Sequence, residues 1–193
     1  MYAALLDLLR HIAVLDEEEE ALIKTSFKPR TLAKGDFFLK TGEISQQIGF
    51  IQSGLVRYFV YKNEEESTFI FTKENEFIAD YQSFNQNTPT IQNIQAIEDC
   101  ELLVIEHSDV QHIFNNTKNG NLLGRIIIEH RFEVMVNQLL SIYLQNQEER
   151  YKHFVVTYAE LTQRIPQYLI ASYVGVKPES LSRIRKRLVK NIS

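Results

Sequence analysis

The chain has little cysteine and no long apolar run. Cys100 is the one cysteine among 193 residues, which excludes an intramolecular disulfide and is typical of a reducing compartment. No uncharged apolar stretch approaches the roughly 20 residues that a membrane-spanning helix needs. The first residues have no basic leader, and Asp7 and Arg10 interrupt their apolar pattern, so we expect no signal peptide. These absences predict a cytoplasmic protein.

The sequence also lacks the short motifs that carry common enzymatic chemistry. It contains no His-x-His cluster, no nucleophile elbow, no phosphate-cradling glycine loop and no metalloprotease motif. An iron–sulfur cluster needs about four cysteines. The 5 histidines have no tight ligand spacing, which does not favour haem or metal binding. We therefore expect no enzyme, no catalytic residue, no metal site and no cofactor.

Positive charge is scarce in most of the chain and concentrated at its end. Residues 1–150 hold 13 Lys and Arg against 23 Asp and Glu, a net charge of −10, whereas residues 151–193 hold 8 against 2, a net charge of +6. A basic block on an acidic body is the electrostatic footprint of a protein that binds a polyanion. The alternative is a solvated basic tail, which most charge runs are.

Residues from about 26 to 105 are rich in short β-like runs that are separated by turn signals. An apolar face formed by Leu5, Leu9 and Ile12 predicts a short helix before them, and a helix is expected from Ser108 to Asn116 with Ser108 as its N-cap. Many short strands at regular spacing predict an antiparallel sandwich or jelly roll. The predicted strands centre on residues 37–39, 48–51, 56–61, 68–71 and 102–105.

A long helix is predicted from Leu122 to Gln145. Five of its apolar residues, from Ile128 to Ile142, follow one another at sequence spacings of 4, 3, 4 and 3. A second apolar set (Leu123, Ile127, Val134) lies on a neighbouring face of the helix. One face can pack on the barrel while the other meets a twin helix in a two-fold dimer. A single broad core-facing stripe is the alternative. The predicted dimer seam is Ile128, Phe132, Met135, Leu139 and Ile142.

Two short helices joined by a tight turn are predicted near the carboxyl end. Gly175 can take the left-handed conformation that ends the first helix, and Pro178 suits the first position of the second. Spacings of three and four place one stripe of the second helix inward (Leu181, Ile184, Leu188) and its basic residues outward. This pattern predicts a helix-turn-helix, the arrangement that places one helix in the major groove of DNA.

The order of parts resembles the Crp-Fnr family of bacterial transcription regulators. The most specific matching segments are Lys34-Gly35-Asp36, Thr41-Gly42-Glu43, Gly49 to Gly54, and Ala171 to Arg185. The resemblance implies an α+β fold: an N-terminal antiparallel jelly roll of the cyclic-nucleotide-binding type at 1–117, a long dimerisation helix at 118–146 and a C-terminal helix-turn-helix at 147–193. With five residues after Leu188, the wing of a winged helix is expected to be truncated.

The resemblance also implies the partners and the DNA-reading residues. We expect a homodimer that binds double-stranded DNA, responds to an unknown small-molecule effector and can contact RNA polymerase; the alternative is a ligand-sensing module that acts on protein partners. Glu179 and Arg183 fall on family positions that read base edges, although they could also form a simple surface pair. Ser180 and Ser182 would reach bases or phosphates. The phosphate backbone would be met by Arg185, Lys186, Arg187 and Lys190.

The predicted effector pocket departs from the family pattern. Asp80 stands where cyclic-nucleotide binders have Glu, and Thr90 and Ile91 replace the Arg and Ser/Thr that hold the phosphate. No Lys or Arg occurs between Lys73 and Lys118. A buried phosphate needs charge-assisted donors, so we do not expect a response to cyclic AMP. The candidate pocket residues for another molecule are Asp80, Tyr81, Thr90, Gln92 and Asn93, and the alternative is barrel surface with no effector.

Overall fold

The computed structural model describes residues 1–190, with side chains through residue 188. The helices are α1 (Ala3–Ile12), α2 (Glu17–Ser26), α3 (Tyr81–Gln86), α4 (His107–Asn116), α5 (Gly120–Leu144), α6 (Gln147–Thr157), α7 (Gln167–Val174) and α8 (Pro178–Lys190), with a short 3₁₀ turn at Ala159–Leu161. The strands are β1 (Lys28–Leu32), β2 (Phe37–Leu39), β3 (Gln47–Ser53), β4 (Val56–Lys62), β5 (Glu65–Thr72), β6 (Phe77–Ile78), β7 (Asn93–Ala96) and β8 (Cys100–Glu106).

The eight strands form two four-stranded sheets. One has the order β1-β8-β3-β6 and the other the order β2-β7-β4-β5. In the first sheet every described pair is antiparallel, with Gly49 opposite Val104 and Phe50 opposite Leu103. This pattern confirms the predicted jelly roll, and all five predicted strand centres lie in observed strands.

The chain divides into two compact units. The first contains Met1–Tyr58 and Phe71–Phe132, and the second contains Phe59–Ile70 together with the chain from Glu133 onward. In the first unit α1 buries Leu5 against Phe50 and Leu103 of the sheet, all three with no exposed surface. The β4–β5 hairpin therefore supplies its outer part, from Phe59 to Ile70, to the unit that holds α6, α7 and α8.

The predicted start of α4 differs from the structure. Helix α4 begins at His107, one residue early, and its N-cap is Glu106, so Ser108 lies inside the first turn and is not the cap. The sequence reading also missed α2 and α6. Both begin with a capping box, Asp16 with Glu19 and Asn146 with Glu149, but their largely polar sequences give little apolar periodicity.

Helix α5 spans Gly120 to Leu144 and leaves its predicted seam uncovered. The five seam side chains are between 37% (Ile128) and 68% (Phe132) exposed, whereas Leu123 on the neighbouring face is buried in the first unit's core. The two faces of the helix therefore differ as the sequence predicts. Within residues 1–190, no helix combines the length and apolar content that crossing a membrane requires.

Candidate nucleic-acid interface

The turn between α7 and α8 is built on Gly175. Its φ of 77° is the left-handed conformation that glycine adopts without strain. Its amide donates to the carbonyl oxygen of Ala171 at 2.9 Å and of Ser172 at 3.1 Å, and the Val176 amide donates to Ala171 at 2.9 Å. These bonds satisfy the last carbonyls of α7, and α8 then begins at Pro178 as the sequence predicts.

Apolar side chains hold the two helices together. Helix α7 buries Leu169, Ile170, Ala171, Tyr173 and Val174. On α8, Leu181 and Ile184 are buried and Leu188 is half-buried. Burial of each large apolar side chain stabilises the pair by about 1.5–3 kcal/mol, which fixes the outward direction of the remaining side chains of α8.

The outward side of α8 carries most of the residues that the sequence assigns to DNA. Glu179 lies exposed in the first turn, and no described contact pairs it with Arg183, so both charged groups face solvent. Ser180 is half-buried, and the side chain of Lys190 lies outside the described part. The remaining candidates are all exposed: Ser182, Arg183, Arg185, Lys186 and Arg187.

Two of these cations have partners within the same unit. Arg185 donates to the side-chain oxygen of Gln167, the first residue of α7. Arg187 lies 3.0 Å from the carboxylate of Glu148 on α6, with 63% of its own side chain exposed. A surface ion pair of this kind is worth about 0–1 kcal/mol, so it leaves Arg187 available to a phosphate.

Arg150 on α6 bonds to the last two carbonyl oxygens of α7, next to the turn. The sequence did not single out this residue. Its Nη2 donates to the carbonyl oxygen of Val174 and, at 3.4 Å, to that of Tyr173. Burial lowers the pKa of the Arg150 guanidinium, with a smaller opposing effect from Tyr173, but an arginine stays charged at any physiological pH. A cation at the carboxyl end of α7 also complements the helix dipole.

Tyr173 joins the helix-turn-helix to α5. Its hydroxyl donates to the side-chain oxygen of Gln138 at 2.6 Å, and both residues are buried. Its ring packs against Phe154 and Tyr158, with centroids 5.3 Å and 5.7 Å away. Burial, reinforced by Tyr158, raises the pKa of the Tyr173 hydroxyl, which therefore stays protonated as a donor. Gln138 was not among the residues singled out by the sequence.

The predicted effector residues lie together in the first unit but largely bond to one another. Asp80 is buried and caps α3, because its carboxylate accepts from the Ser83 amide at 3.2 Å. The other carboxylate oxygen accepts from the Thr90 hydroxyl at 2.5 Å. The Gln92 amide donates back to the Thr90 hydroxyl at 3.1 Å. Asp80 and Thr90 thus bond directly to each other, at the positions where the resemblance implies a Glu and an Arg.

The other two candidates have separate roles. Asn93 is buried and exchanges two hydrogen bonds with Thr41: its oxygen accepts from the Thr41 amide at 3.0 Å, and its nitrogen donates to the Thr41 hydroxyl at 2.8 Å. The two Asn93–Thr41 bonds hold the β2–β3 connection against β7. Tyr81 is exposed. At Asp80 and Thr90 the group thus offers a buried acid and a neutral hydroxyl, neither of which is a cation.

The sequence reading also missed one buried cation of this unit. Arg57 on β4 donates from Nε and Nη2 to the side-chain oxygen of Gln95 on β7, at 3.0 Å and 2.6 Å. Gln95 in turn donates to the carbonyl oxygen of Gly35 at 2.9 Å. Because Arg57 lies outside the interval between Lys73 and Lys118, the count of cations in that interval could not reveal it.

Comparison with known proteins agrees with this architecture. Residues 29–117 match the cyclic nucleotide-binding domain family. The chain resembles FixK2 from Bradyrhizobium japonicum (TM-score 0.72, 13% identity, 86% of this chain and 85% of that one). It also resembles the catabolite activator protein of Thermus thermophilus, with a TM-score of 0.58 and 20% identity over 95% of this chain and 87% of that one. A crp/fnr-family regulator from Eubacterium rectale is similar as well, with a TM-score of 0.71 and 17% identity over 91% of this chain and 85% of that one. No curated protein sequence matches the chain.

At these identities the structural likeness establishes the fold. Its coverage extends over both the jelly roll and the helix-turn-helix, whereas the family match is confined to the jelly roll. Residues 29–117 are therefore similar in sequence to cyclic nucleotide-binding domains, and the described chain shares its fold with solved regulators that include a crp/fnr-family protein.

Proposed function

We propose that the protein is a homodimeric, sequence-specific DNA-binding transcription regulator of the Crp-Fnr family. The observation that carries this proposal is α8, which buries Leu181 and Ile184 and exposes Glu179 and Arg183 in its amino-terminal half, where no contact among the described residues pairs them with each other. The start of a recognition helix is where base edges are reached. Arg183 can donate two hydrogen bonds to guanine, and Glu179 can accept from the amino group of cytosine.

Dimerisation is supported by the uncovered seam of α5. Phe132, Met135 and Leu139 are each close to half exposed or more, and they recur at helical spacing. A row of large apolar side chains on one helix face is stabilised when a twin helix covers it. A two-fold dimer places two copies of α8 on successive half-sites, so we expect a palindromic site with half-sites about one helical turn apart.

The sensor domain is degenerate in this proposal and does not respond to cyclic AMP. Asp80 and Thr90 bind each other at 2.5 Å, so both groups are already satisfied. A phosphate at this place would face the buried carboxylate of Asp80, and none of the five candidate pocket residues is a cation that could compensate its desolvation. Any effector of this unit is expected to be a different molecule.

Selection from the genome tests the function. The purified protein is incubated with fragmented DNA of its own genome at several salt concentrations, and bound fragments are sequenced. We expect enrichment of fragments that share a two-fold-symmetric site, with affinity that falls steeply as salt rises. Cyclic AMP should leave this binding unchanged. Absence of enrichment at every salt concentration would contradict the proposal and favour a module that acts on protein partners.

A further inference from the structure

The side chain of Ser172 bonds the outer part of the β4–β5 hairpin to the first helix of the helix-turn-helix. Ser172 of α7 donates from its hydroxyl to the carbonyl oxygen of Glu66 at 2.7 Å and accepts from the amide of Thr68 at 2.9 Å. Strand β5 is the edge of its sheet, and residues two apart on a strand point their backbone groups to the same side. The Ser172 hydroxyl therefore bonds to backbone groups at the outer side of β5.

The hairpin that is held in this way is acidic. Its turn, Lys62 to Glu66, contains one Lys and three Glu, a net charge of −2, and all five residues are exposed. Asn63 and Glu64 form the two-residue loop with φ of 51° and 67°. Such a loop favours Asn-Gly, because glycine takes positive φ without strain. Here a charged residue occupies the position that glycine would fill better.

The hairpin thus brings negative charge into the unit that carries the basic face of α8. Residues 59–70 belong to the same compact unit as α7 and α8. DNA is a polyanion whose binding depends on the summed charge of the protein surface, and nearby carboxylates weaken that attraction. We propose that the β4–β5 hairpin, fixed to α7 through Ser172, is an autoinhibitory element that lowers the affinity of the helix-turn-helix for DNA.

The two hydrogen bonds of Ser172 can break without unfolding the unit. Ser172 is half-buried, and its two bonds join backbone groups of the hairpin, whereas the adjacent Tyr173 stays anchored to Gln138 by a buried hydrogen bond. Loss of the Ser172 bonds therefore leaves α7 in its apolar packing. The inner residues of β4 and β5, up to Tyr58 and from Phe71 onward, belong to the first unit. The inference rests on the proposed DNA-binding function.

Three variants and one control test it. Ser172→Ala removes both bonds and keeps a small residue in the helix. Glu64→Gln with Glu65→Gln removes two hairpin charges, and the third variant combines all three changes. Glu17→Gln with Glu18→Gln, at exposed positions of α2 in the other unit, removes the same charge elsewhere. Each full-length protein is titrated by anisotropy into a fluorescein-labelled duplex of random sequence at about 50 and 200 mM salt.

Electrostatics sets the expected size of the effect. Two charges about 10 Å from a phosphate in water change the affinity together by about four-fold. Screening at about 50 mM salt roughly halves this interaction energy, so we expect the Glu64→Gln/Glu65→Gln pair and Ser172→Ala each to raise affinity by about two-fold there and by less at the higher salt concentration. Ser172→Ala should add little in the charge-neutralised hairpin, because the inhibiting charges are already gone.

Amide hydrogen exchange measures the Thr68–Ser172 hydrogen bond in the absence of DNA. The Thr68 amide should exchange faster in Ser172→Ala than in the wild type, while the thermal midpoint stays close to the wild-type value. Unchanged exchange at Thr68, unchanged or reduced DNA affinity in Ser172→Ala, or an equal rise in the α2 control would overturn the inference alone. If no protein, wild type included, bound any duplex, the proposed function would fail and the autoinhibition with it.

Discussion

Replacing Gly175 with alanine tests how the turn of the helix-turn-helix is built. Two effects add at this position. The left-handed backbone costs an alanine about 1 kcal/mol relative to glycine. A Cβ would also lie against Nη2 of Arg150, closer than real Cβ atoms approach, so the guanidinium must move away from the Val174 carbonyl oxygen. The lost hydrogen bond is partly exposed and contributes about 1 kcal/mol. We expect the free energy of unfolding to fall by about 2 kcal/mol in total.

A double-mutant cycle separates the two effects. In an Arg150→Ala background the Gly175→Ala change should cost only the backbone strain, about 1 kcal/mol, which leaves a coupling energy of similar size. Gly175→Asn at the same position reduces the strain, because asparagine tolerates the left-handed region, but keeps the clash with Arg150. Urea unfolding followed by circular dichroism gives each free energy. Additive losses from Gly175→Ala and Arg150→Ala would refute the contact, and a Gly175→Ala loss below about 0.5 kcal/mol would refute the strain as well.

Three further predictions concern other parts of the molecule. Lys186→Ala should weaken binding to all duplexes about equally and reduce the slope of log affinity against log salt by about one, and an unchanged slope would contradict a phosphate contact. Phe132→Glu should give a monomer by sedimentation where the wild type is a dimer, because it places a charge in the exposed seam of α5; a dimeric variant would contradict that seam. Burial is the largest of the effects that raise the pKa of the Cys100 thiol to about 11, so the folded protein should react slowly with iodoacetamide at pH 8 and rapidly once unfolded; fast labelling of the folded protein would contradict this.

The elements that depend on apolar periodicity could be predicted from the sequence. Leu181 and Ile184 of α8 and the short apolar runs of β3 and β8 leave patterns that can be recognised without the rest of the chain. The role of Gly175 could also be predicted, because glycine adopts without strain the left-handed conformation that ends α7. Strand β6, only two residues long, and helix α3, only six, are too short to show a period.

The long-range contacts around the helix-turn-helix could not be predicted in the same way. Arg150 lies 24 residues before the carbonyl oxygen that it binds, and Ser172 lies 106 residues after the one that it binds. Such pairs arise from the tertiary fold. In the sequence, an Arg or a Ser at these helical positions gives no sign of the contact that it makes. The same holds for the pocket: the missing cations were visible, but the direct bond between Asp80 and Thr90 was not.

The most direct test of the central claim is the discrimination of Arg183→Ala between DNA sequences. Its affinity is measured by anisotropy for the duplex selected from the genome and for a scrambled duplex of equal length, at one salt concentration, beside the wild type. If Arg183 reads a base pair, the ratio of the two affinities should fall by about 5- to 150-fold, corresponding to about 1–3 kcal/mol, while binding to the scrambled duplex falls little. An unchanged ratio would contradict the assignment of α8 as the element that reads the site.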